Sequence, residues 1–439
     1  MGVLIRFALP FLLSGMLQMA YSTVDVYFLG RFSTAAAVAG TSQGLQINAV
    51  LTSLFLGITN GGTILLGQYT GAKDWKNAAR TLGNVILIAA ASVIIATVVL
   101  VAGHDALLTV MKVPPEAFGE ARNYLLVCCC GLSFIMGYNV VSSVLRSLGN
   151  SRAPFFFILI STSMNVALDY VCVVRLSWGA FGAALATVIS QAASFIIALI
   201  YIRSRGLPFA FGFKNISPNK DIILQIMKLG IPMSLQSAVN NFSFMVVGRL
   251  INSMGVYASA ANSVVGTITG ICMMIPLSVS MSVSAITAQN IGAGKADRAV
   301  KTLRYGIILC LCFAIPFALI CDFFPGDVIR LLNSDAGVVR ESILYLYPYS
   351  WDCVSVLFLM LFSSHPTVSL NLQLLLFNPL PWCCVWNVAR GRPTRYWRLT
   401  LLLGAAFFAG SLFQHYAEGL WCLALCLLLQ CCIHIKWKH

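Results

Sequence analysis

The sequence predicts an all-α polytopic membrane protein with about 12 transmembrane helices in two repeated six-helix lobes. Hydrophobic residues make up 59% of the 439 residues and charged residues only 10%, whereas soluble domains have about 25% charged residues. Long stretches carry no charge at all, such as Phe32–Ala72 and Leu250–Gly294. Together with an internal repeat, these observations exclude soluble globular, disordered, coiled-coil and disulfide-scaffold proteins.

The internal repeat relates residues at a constant offset of 221 positions. Gln68 and Gly71 recur as Gln289 and Gly292. Further pairs at the same offset are Ala72 with Ala293, Ala78 with Ala299, Thr81 with Thr302, Leu82 with Leu303, Glu120 with Glu341, and Tyr124 with Tyr345. One offset that serves several separated segments indicates a duplication, which is typical of secondary transporters.

Each half is predicted to contain six spans, because a helix needs about 20 apolar residues to cross a bilayer. The spans of the first half are expected at roughly 4–28, 34–66, 81–103, 120–145, 153–175 and 179–202. Those of the second half are expected at roughly 223–248, 255–287, 303–322, 341–363, 368–389 and 400–435. We therefore expect an N-terminal lobe of residues 1–205, a cytoplasmic linker of residues 206–221 and a C-terminal lobe of residues 222–439.

The distribution of Lys and Arg predicts the orientation in the membrane. In residues 1–352 the loops on the N-terminal side hold 15 of these residues and the opposite loops hold 7. Basic residues gather in cytoplasmic loops, so we expect a cytoplasmic N-terminus in the cell inner (plasma) membrane. The same rule accounts for the net charge of +14, and no nucleic-acid partner is expected. No cleavable signal peptide is expected either, because the chain enters its first span almost at once.

The last part of the chain departs from the repeat. After Asp352 come 5 of the 8 Trp, 4 of the 5 His and 7 of the 15 Cys, with Glu418 as the one acidic residue. We interpret residues 354–439 as divergent sequence or the product of a shifted reading frame, and we assign no function to any residue there.

Asp25 and Asp169 are acidic residues inside apolar spans. An ionised carboxylate at the centre of a spanning helix costs several kcal/mol, so it marks either an ion or proton site or a hydrogen-bonded structural position. Asn165 and Asp169 are four residues apart and share a helix face. With Thr187 in the sixth span, these residues form the predicted ion-coupling site.

Further polar and adaptable side chains are candidates for a substrate cavity. The fourth, sixth, seventh and eighth spans provide Tyr138, Asn139, Gln191, Gln236, Asn240, Met273 and Met274. Methionine side chains suit an adaptable apolar pocket, although packing is the alternative role for a Met pair. For Tyr138 and Thr187 the alternative is an interhelical hydrogen bond.

Several separated segments carry a family resemblance. VDVYFLGR (Val24–Arg31), GQYTGAK (Gly67–Lys73), SSVLRSLGNSRAP (Ser142–Pro154) and AQNIGAGK (Ala288–Lys295), together with parts of Met164–Gln191, resemble the MATE family of multidrug and toxic compound extrusion transporters. The resemblance covers residues 1 to about 352 and implies twelve helices in two lobes around a central cavity. It also implies cation-coupled export of amphiphilic, often cationic compounds.

The resemblance assigns roles to single residues as well. Asp25 matches the first-helix carboxylate of the family, and Asp169 with Asn165 matches its fifth-helix polar pair. Thr187 falls where the sixth helix lines the same pocket. Some members carry a Glu in the seventh helix that helps to form a sodium site, and this sequence has none there. The tail does not match the last three helices of the family.

The absence of Walker A, GxSxG and HExxH motifs indicates that energy comes from an ion gradient or from the gradient of the substrate itself. We predict an antiporter rather than an enzyme, coupled to H⁺ rather than Na⁺. We expect no cofactor or metal. The protein is expected to act as a monomer in the lipid bilayer and to transport small molecules. One alternative is a flippase for lipid-linked oligosaccharides, which would usually have extra spans and a cationic cavity. An integral membrane enzyme would need paired catalytic carboxylates or His at one interface.

Overall fold

The computed structural model describes residues 1–111, 113, 115–252 and 255–363. Every regular element within these ranges is helical. The predicted all-α polytopic class is confirmed. The last two predicted spans, at roughly 368–389 and 400–435, lie outside the described residues, as does residue 364 onward of the tail.

Six long helices form the first half of the chain. They are α1 (Gly2–Phe32), α2 (Ala35–Gly71), α3 (Trp75–Val110), α4 (Pro115–Ser147), α5 (Arg152–Asp169) and α6 (Gly179–Arg205). A π-helical turn, Tyr170–Arg175, extends α5. Most of these helices are longer than the predicted spans, because the helical backbone continues past the hydrocarbon core into the headgroup region.

The second half begins with α7 (Lys220–Asn252), α8 (Val256–Gly292) and α9 (Ala296–Phe323). The short α10 (Pro325–Arg330) and the long α11 (Ala336–Ser363) follow. The sequence analysis did not predict α10. Pro325 lacks an amide hydrogen and disfavours a helical conformation at Phe324, so α9 ends there and a new helix starts.

Eight helices among the described residues are long and apolar enough to cross a membrane. They are α1 to α6, with the π-helical turn included in the fifth, and then α8 and α9. The chain is therefore a multi-pass membrane protein.

The internal repeat extends to the helix boundaries. Helices α2 and α8 each contain 37 residues. Their first residues are 221 positions apart, as are those of α3 and α9 and those of α4 and α11. Corresponding segments of the two halves therefore fold into corresponding helices.

The turns that end α2 and α8 are also equivalent. Lys73 has φ 58° and its repeat mate Gly294 has φ 69°, both in the left-handed region. The next amide in each turn donates back over five residues, Asp74 N to the Tyr69 carbonyl at 2.9 Å and Lys295 N to the Asn290 carbonyl at 2.8 Å. This is the Schellman pattern of helix ends, which satisfies otherwise unpaired carbonyls.

The chain divides into two compact units. The first compact unit contains residues 5–234 and 288–296, and the second contains residues 1–4, 235–287 and the described residues from Asp297 on. In the first unit α4 is central and packs against α2, α3, α5 and α6. The second unit has its own core, which includes Ile251, Val265, Ile329 and Leu346. The division falls within α7, whereas the sequence placed the lobe boundary in the linker.

The predicted linker is bound to α3. The amide of Asn219 donates to Oδ1 of Asn84 at 3.0 Å, and Asn84 is fully buried. The ring of Phe209 stacks on Trp75 with a centroid distance of 6.4 Å. These contacts place the whole 206–221 connection within the first compact unit.

Candidate ion-coupling site

Three of the four predicted ion-coupling residues meet inside the first compact unit. Asp25 is 3% exposed, and Asn165 and Asp169 are completely buried. The amide nitrogen of Asn165 donates to Oδ1 of Asp25 and to Oδ2 of Asp169, both at 3.2 Å. These bonds require the amide oxygen and nitrogen of Asn165 to be exchanged relative to the structure, and we assign the exchanged orientation because the other sets the amide oxygen against two carboxyl acceptors. Asn165 therefore bridges α1 and α5.

The two carboxyl groups also lie within hydrogen-bonding reach of each other. Oδ1 of Asp169 has no donor among the described residues. A buried carboxylate oxygen without a donor is costly, so a proton or a cation bound there would stabilise the site.

Thr187 joins the site through Tyr21, which the sequence analysis did not single out. The Tyr21 hydroxyl donates to Oγ1 of Thr187 at 2.8 Å. Tyr21 lies one turn before Asp25 on α1, so it faces the same side of the helix. The helical spacing of Tyr21 and Asp25 was visible in the sequence, but the pairing with a residue 166 positions away was not.

Two side-chain bonds fasten α5 to α6 next to the carboxyl pair. The Ser161 hydroxyl donates to the Ser190 carbonyl at 3.0 Å. The Ser194 hydroxyl donates to the Phe157 carbonyl at 2.8 Å. Such interhelical bonds hold packed membrane helices in register, so the hairpin of α5 and α6 places Asn165, Asp169 and Thr187 together.

The π-helical turn begins directly after Asp169. It is closed by a bond from the Leu176 amide to the Val171 carbonyl at 3.0 Å. A π-turn rotates the chain relative to an α-helix and is frequent at functional sites. The sequence predicted an ordinary α-helix through this turn.

The predicted cavity residues of the first half lie in different surroundings. Tyr138 packs in a buried cluster with Phe157, and its hydroxyl donates to the Pro154 carbonyl at 3.3 Å. Nδ2 of Asn139 donates to the Ile135 carbonyl of its own helix at 2.8 Å. Oε1 of Gln191 is buried without a partner among the described residues. Of these residues, Gln191 retains a free acceptor one turn after Thr187.

The predicted cavity residues of the second half belong to α7 and α8. Met273 and Met274 are half-buried on α8. The side chains of Gln236 and Asn240 lie outside the described part of the structure. Within the described residues, no group of three or more His, Cys, Asp or Glu is placed to hold a metal ion.

Long apolar helices and an internal repeat are typical of membrane transporters, and buried carboxyl groups in a membrane domain are typical of ion or proton pathways. The sequence model of the MatE family matches residues 10–171 and 232–365. The chain therefore belongs to the MATE family of membrane transporters. A second model, the Lnb transmembrane domain, matches residues 351–439, so the tail resembles a different family from the rest of the chain.

Two curated relatives come from Bacillus subtilis (strain 168). The probable multidrug resistance protein YoeA is 30% identical over 337 residues, which cover 75% of this chain and 73% of that protein. The probable multidrug resistance protein YpnP is 27% identical over 357 residues, which cover 79% of each chain.

Solved structures share the fold. A transporter of the MOP superfamily from Pyrococcus furiosus has a TM-score of 0.81 and 18% identity over 94% of both chains. An outward-facing multidrug resistance MATE transporter has a TM-score of 0.80 and 18% identity, covering 98% of this chain and 96% of that chain. At this identity the likeness concerns the fold alone.

Proposed function

We propose that the protein is an antiporter that exports amphiphilic, often cationic compounds in exchange for a coupling cation. The observation that carries the proposal is the buried cluster of Asp25, Asn165 and Asp169. Acidic residues inside a membrane domain are costly and mark ion or proton pathways. The names of the curated relatives, which are multidrug resistance proteins, support the substrate class.

The coupling ion of the proposal is the proton. Two carboxylates in mutual contact repel each other, and one proton between them removes the repulsion and supplies the missing donor to Asp169. Sodium would need several oxygen ligands together. Asp25, Asp169, Asn165 and Thr187 all carry oxygens, so a sodium site in this unit is the competing outcome of the tests.

The proposed cycle is alternating access, with the repeated lobes moving against each other. The N-terminus is on the cytoplasmic side, as the excess of Lys and Arg in its loops supports. Protons that enter from outside occupy the carboxyl pair, and release of those protons inside resets it for the next substrate. No cofactor takes part, and a single chain carries out the cycle.

The test compares Asp25→Asn with the parent protein in export of a cationic fluorescent dye from energised membrane vesicles. The amide keeps a hydrogen-bonding side chain but cannot carry a proton. We expect dye export to fall to the background of vesicles without the protein, while dye binding to the purified protein persists. Asp297→Asn is the matched control, because Asp297 is an exposed residue in the first turn of α9.

Export by Asp25→Asn at the parent rate would contradict the coupling role. A flippase would instead move lipid-linked oligosaccharides between leaflets. Transport of such a lipid by the parent protein, without dye export, would favour that alternative.

A further inference from the structure

Glu120 lies on α4 and reaches the first turn of α6. Its Oε2 accepts a hydrogen bond from the amide of Ala180 at 3.3 Å. The first amides of a helix have no partner within the helix, and a negative group beside them is stabilised by the helix dipole. Ala180 is completely buried, so its amide would be without water if the carboxylate were removed.

No local side chain replaces Glu120 at this helix start. The residue before α6, Trp178, forms no side-chain capping bond. Gly179 has φ +54°, and a Cβ added there would lie 3.5 Å from the same Oε2 of Glu120. Glycine adopts this left-handed conformation without steric cost, and 3.5 Å is an ordinary van der Waals distance, so the turn into α6 packs against the carboxylate without a clash.

The position of Glu120 is itself fixed by close packing of α4 on α2. A Cβ added at Gly40 would lie 2.7 Å from the amide nitrogen of Ala121 and 2.8 Å from the Cβ of Glu120. Such a close approach leaves the backbone of α4 no freedom to shift towards α2. The backbone of Glu120 therefore has a fixed position on α4, beside the first turn of α6.

A backbone hydrogen bond connects the start of α6 to the turn that follows Asp169. The Trp178 amide donates to the Cys172 carbonyl at 3.0 Å, inside the π-helical turn that follows Asp169. Thr187 lies seven residues after Ala180, about two helical turns into α6. A displacement of the α6 start would therefore move Asp169 and Thr187 relative to α1, which carries Asp25 and Tyr21.

We infer that Glu120 is a positioning residue for the coupling site: by anchoring the start of α6, it holds the α5–α6 hairpin where Asn165 and Asp169 meet Asp25. The inference rests on the proposed function for its role in transport. It does not require Glu120 to touch the coupling ion or the substrate.

The first test measures hydrogen–deuterium exchange of the purified protein over residues 165–187. Glu120→Ala is expected to raise exchange in this stretch about tenfold, because a charge-assisted bond is lost. Glu120→Gln, which retains an acceptor oxygen, is expected to restore part of the protection. Glu116→Ala is the matched control, since Glu116 is an exposed residue in the first turn of the same helix. Exchange in Glu120→Ala equal to that of the parent overturns the inference.

The second test measures dye export against the concentration of the coupling ion. We expect Glu120→Ala to require about tenfold more ion for half-maximal export, with dye affinity unchanged and partial recovery in Glu120→Gln. A loss of dye affinity, or an unchanged ion dependence, overturns the positioning role. If the parent protein shows no coupled export, the proposed function fails, while the exchange measurement still decides whether Glu120 anchors the hairpin.

Discussion

At the residue scale, Asn165 is the side chain on which the geometry of the coupling site depends most. Its amide is the shared donor to carboxyl groups of two different helices. The sequence predicted its position beside Asp169 from the four-residue spacing. The sequence also placed Asp25 in the same predicted site, but it did not predict the hydrogen bond from Asn165 to Asp25.

Asn165→Ala is expected to destabilise the protein by about 1–3 kcal/mol, since it leaves two buried carboxyl groups without their donor. Thermal unfolding in detergent measures this change. Ser163→Ala on the same helix is the control, because Ser163 is exposed and its hydroxyl donates to the carbonyl of Leu159, one turn back on its own helix. Equal melting temperatures for the two variants would contradict the bridging role of Asn165.

Tyr21→Phe removes one hydroxyl from the site. The variant loses the 2.8 Å bond to Thr187, which is worth about 1 kcal/mol. We expect dye export to be reduced several-fold and to need a higher concentration of the coupling ion. Tyr27→Phe on the same helix should export at the parent rate, because Tyr27 is 63% exposed. If the ion dependence of export is unchanged in Tyr21→Phe, the Tyr21 hydroxyl has no role in ion coupling.

At the element scale, the repeat and the apolar stretches predicted most of the helices, with ends within seven residues of those observed. The sequence did not predict the π-helical turn after Asp169, because hydropathy carries no information about which backbone groups form hydrogen bonds. The sequence did not predict α10 either, where Pro325 interrupts the helical path although the repeat mate of this segment lies within the continuous α3.

The C-terminal ends of α2 and α8 meet within the first compact unit at repeat mates. A Cβ added at Gly292 would collide with the carbonyl of Gln68, and one added at Gly71 would collide with that of Gln289. Gly292→Ala is therefore expected to destabilise the protein by about 1–3 kcal/mol. Gly266→Ala on the same helix has no atom within 4 Å of the new methyl group and should be neutral or slightly stabilising. A melting temperature unchanged by Gly292→Ala would argue against this crossing.

At the scale of the whole molecule, the orientation in the membrane is a separate prediction. A cysteine placed at exposed Ser177, after the π-helical turn, should react with a membrane-impermeant maleimide added to intact cells. A cysteine placed at exposed Ser204, near the end of α6, should react only after the cells are opened. The parent protein, with its native cysteines, gives the background labelling. The reverse pattern would place the N-terminus outside.

Family membership rests on segments before and just beyond the point where the repeat ends. The sequence anticipated this change of character near residue 354 from composition alone, and the match of residues 351–439 to a different family falls at the same place. The buried cluster of Asp25, Asn165 and Asp169, in contrast, lies entirely within residues 5–234.

The central claim is that the buried carboxyl pair couples export to protons, and proteoliposomes with one imposed gradient at a time test it most directly. Dye efflux should occur with a proton gradient directed into the proteoliposomes and should not occur with an inward sodium gradient of equal size. It should be lost in both Asp25→Asn and Asp169→Asn. Efflux that follows the sodium gradient and ignores pH, or efflux that survives in either variant, would contradict the account.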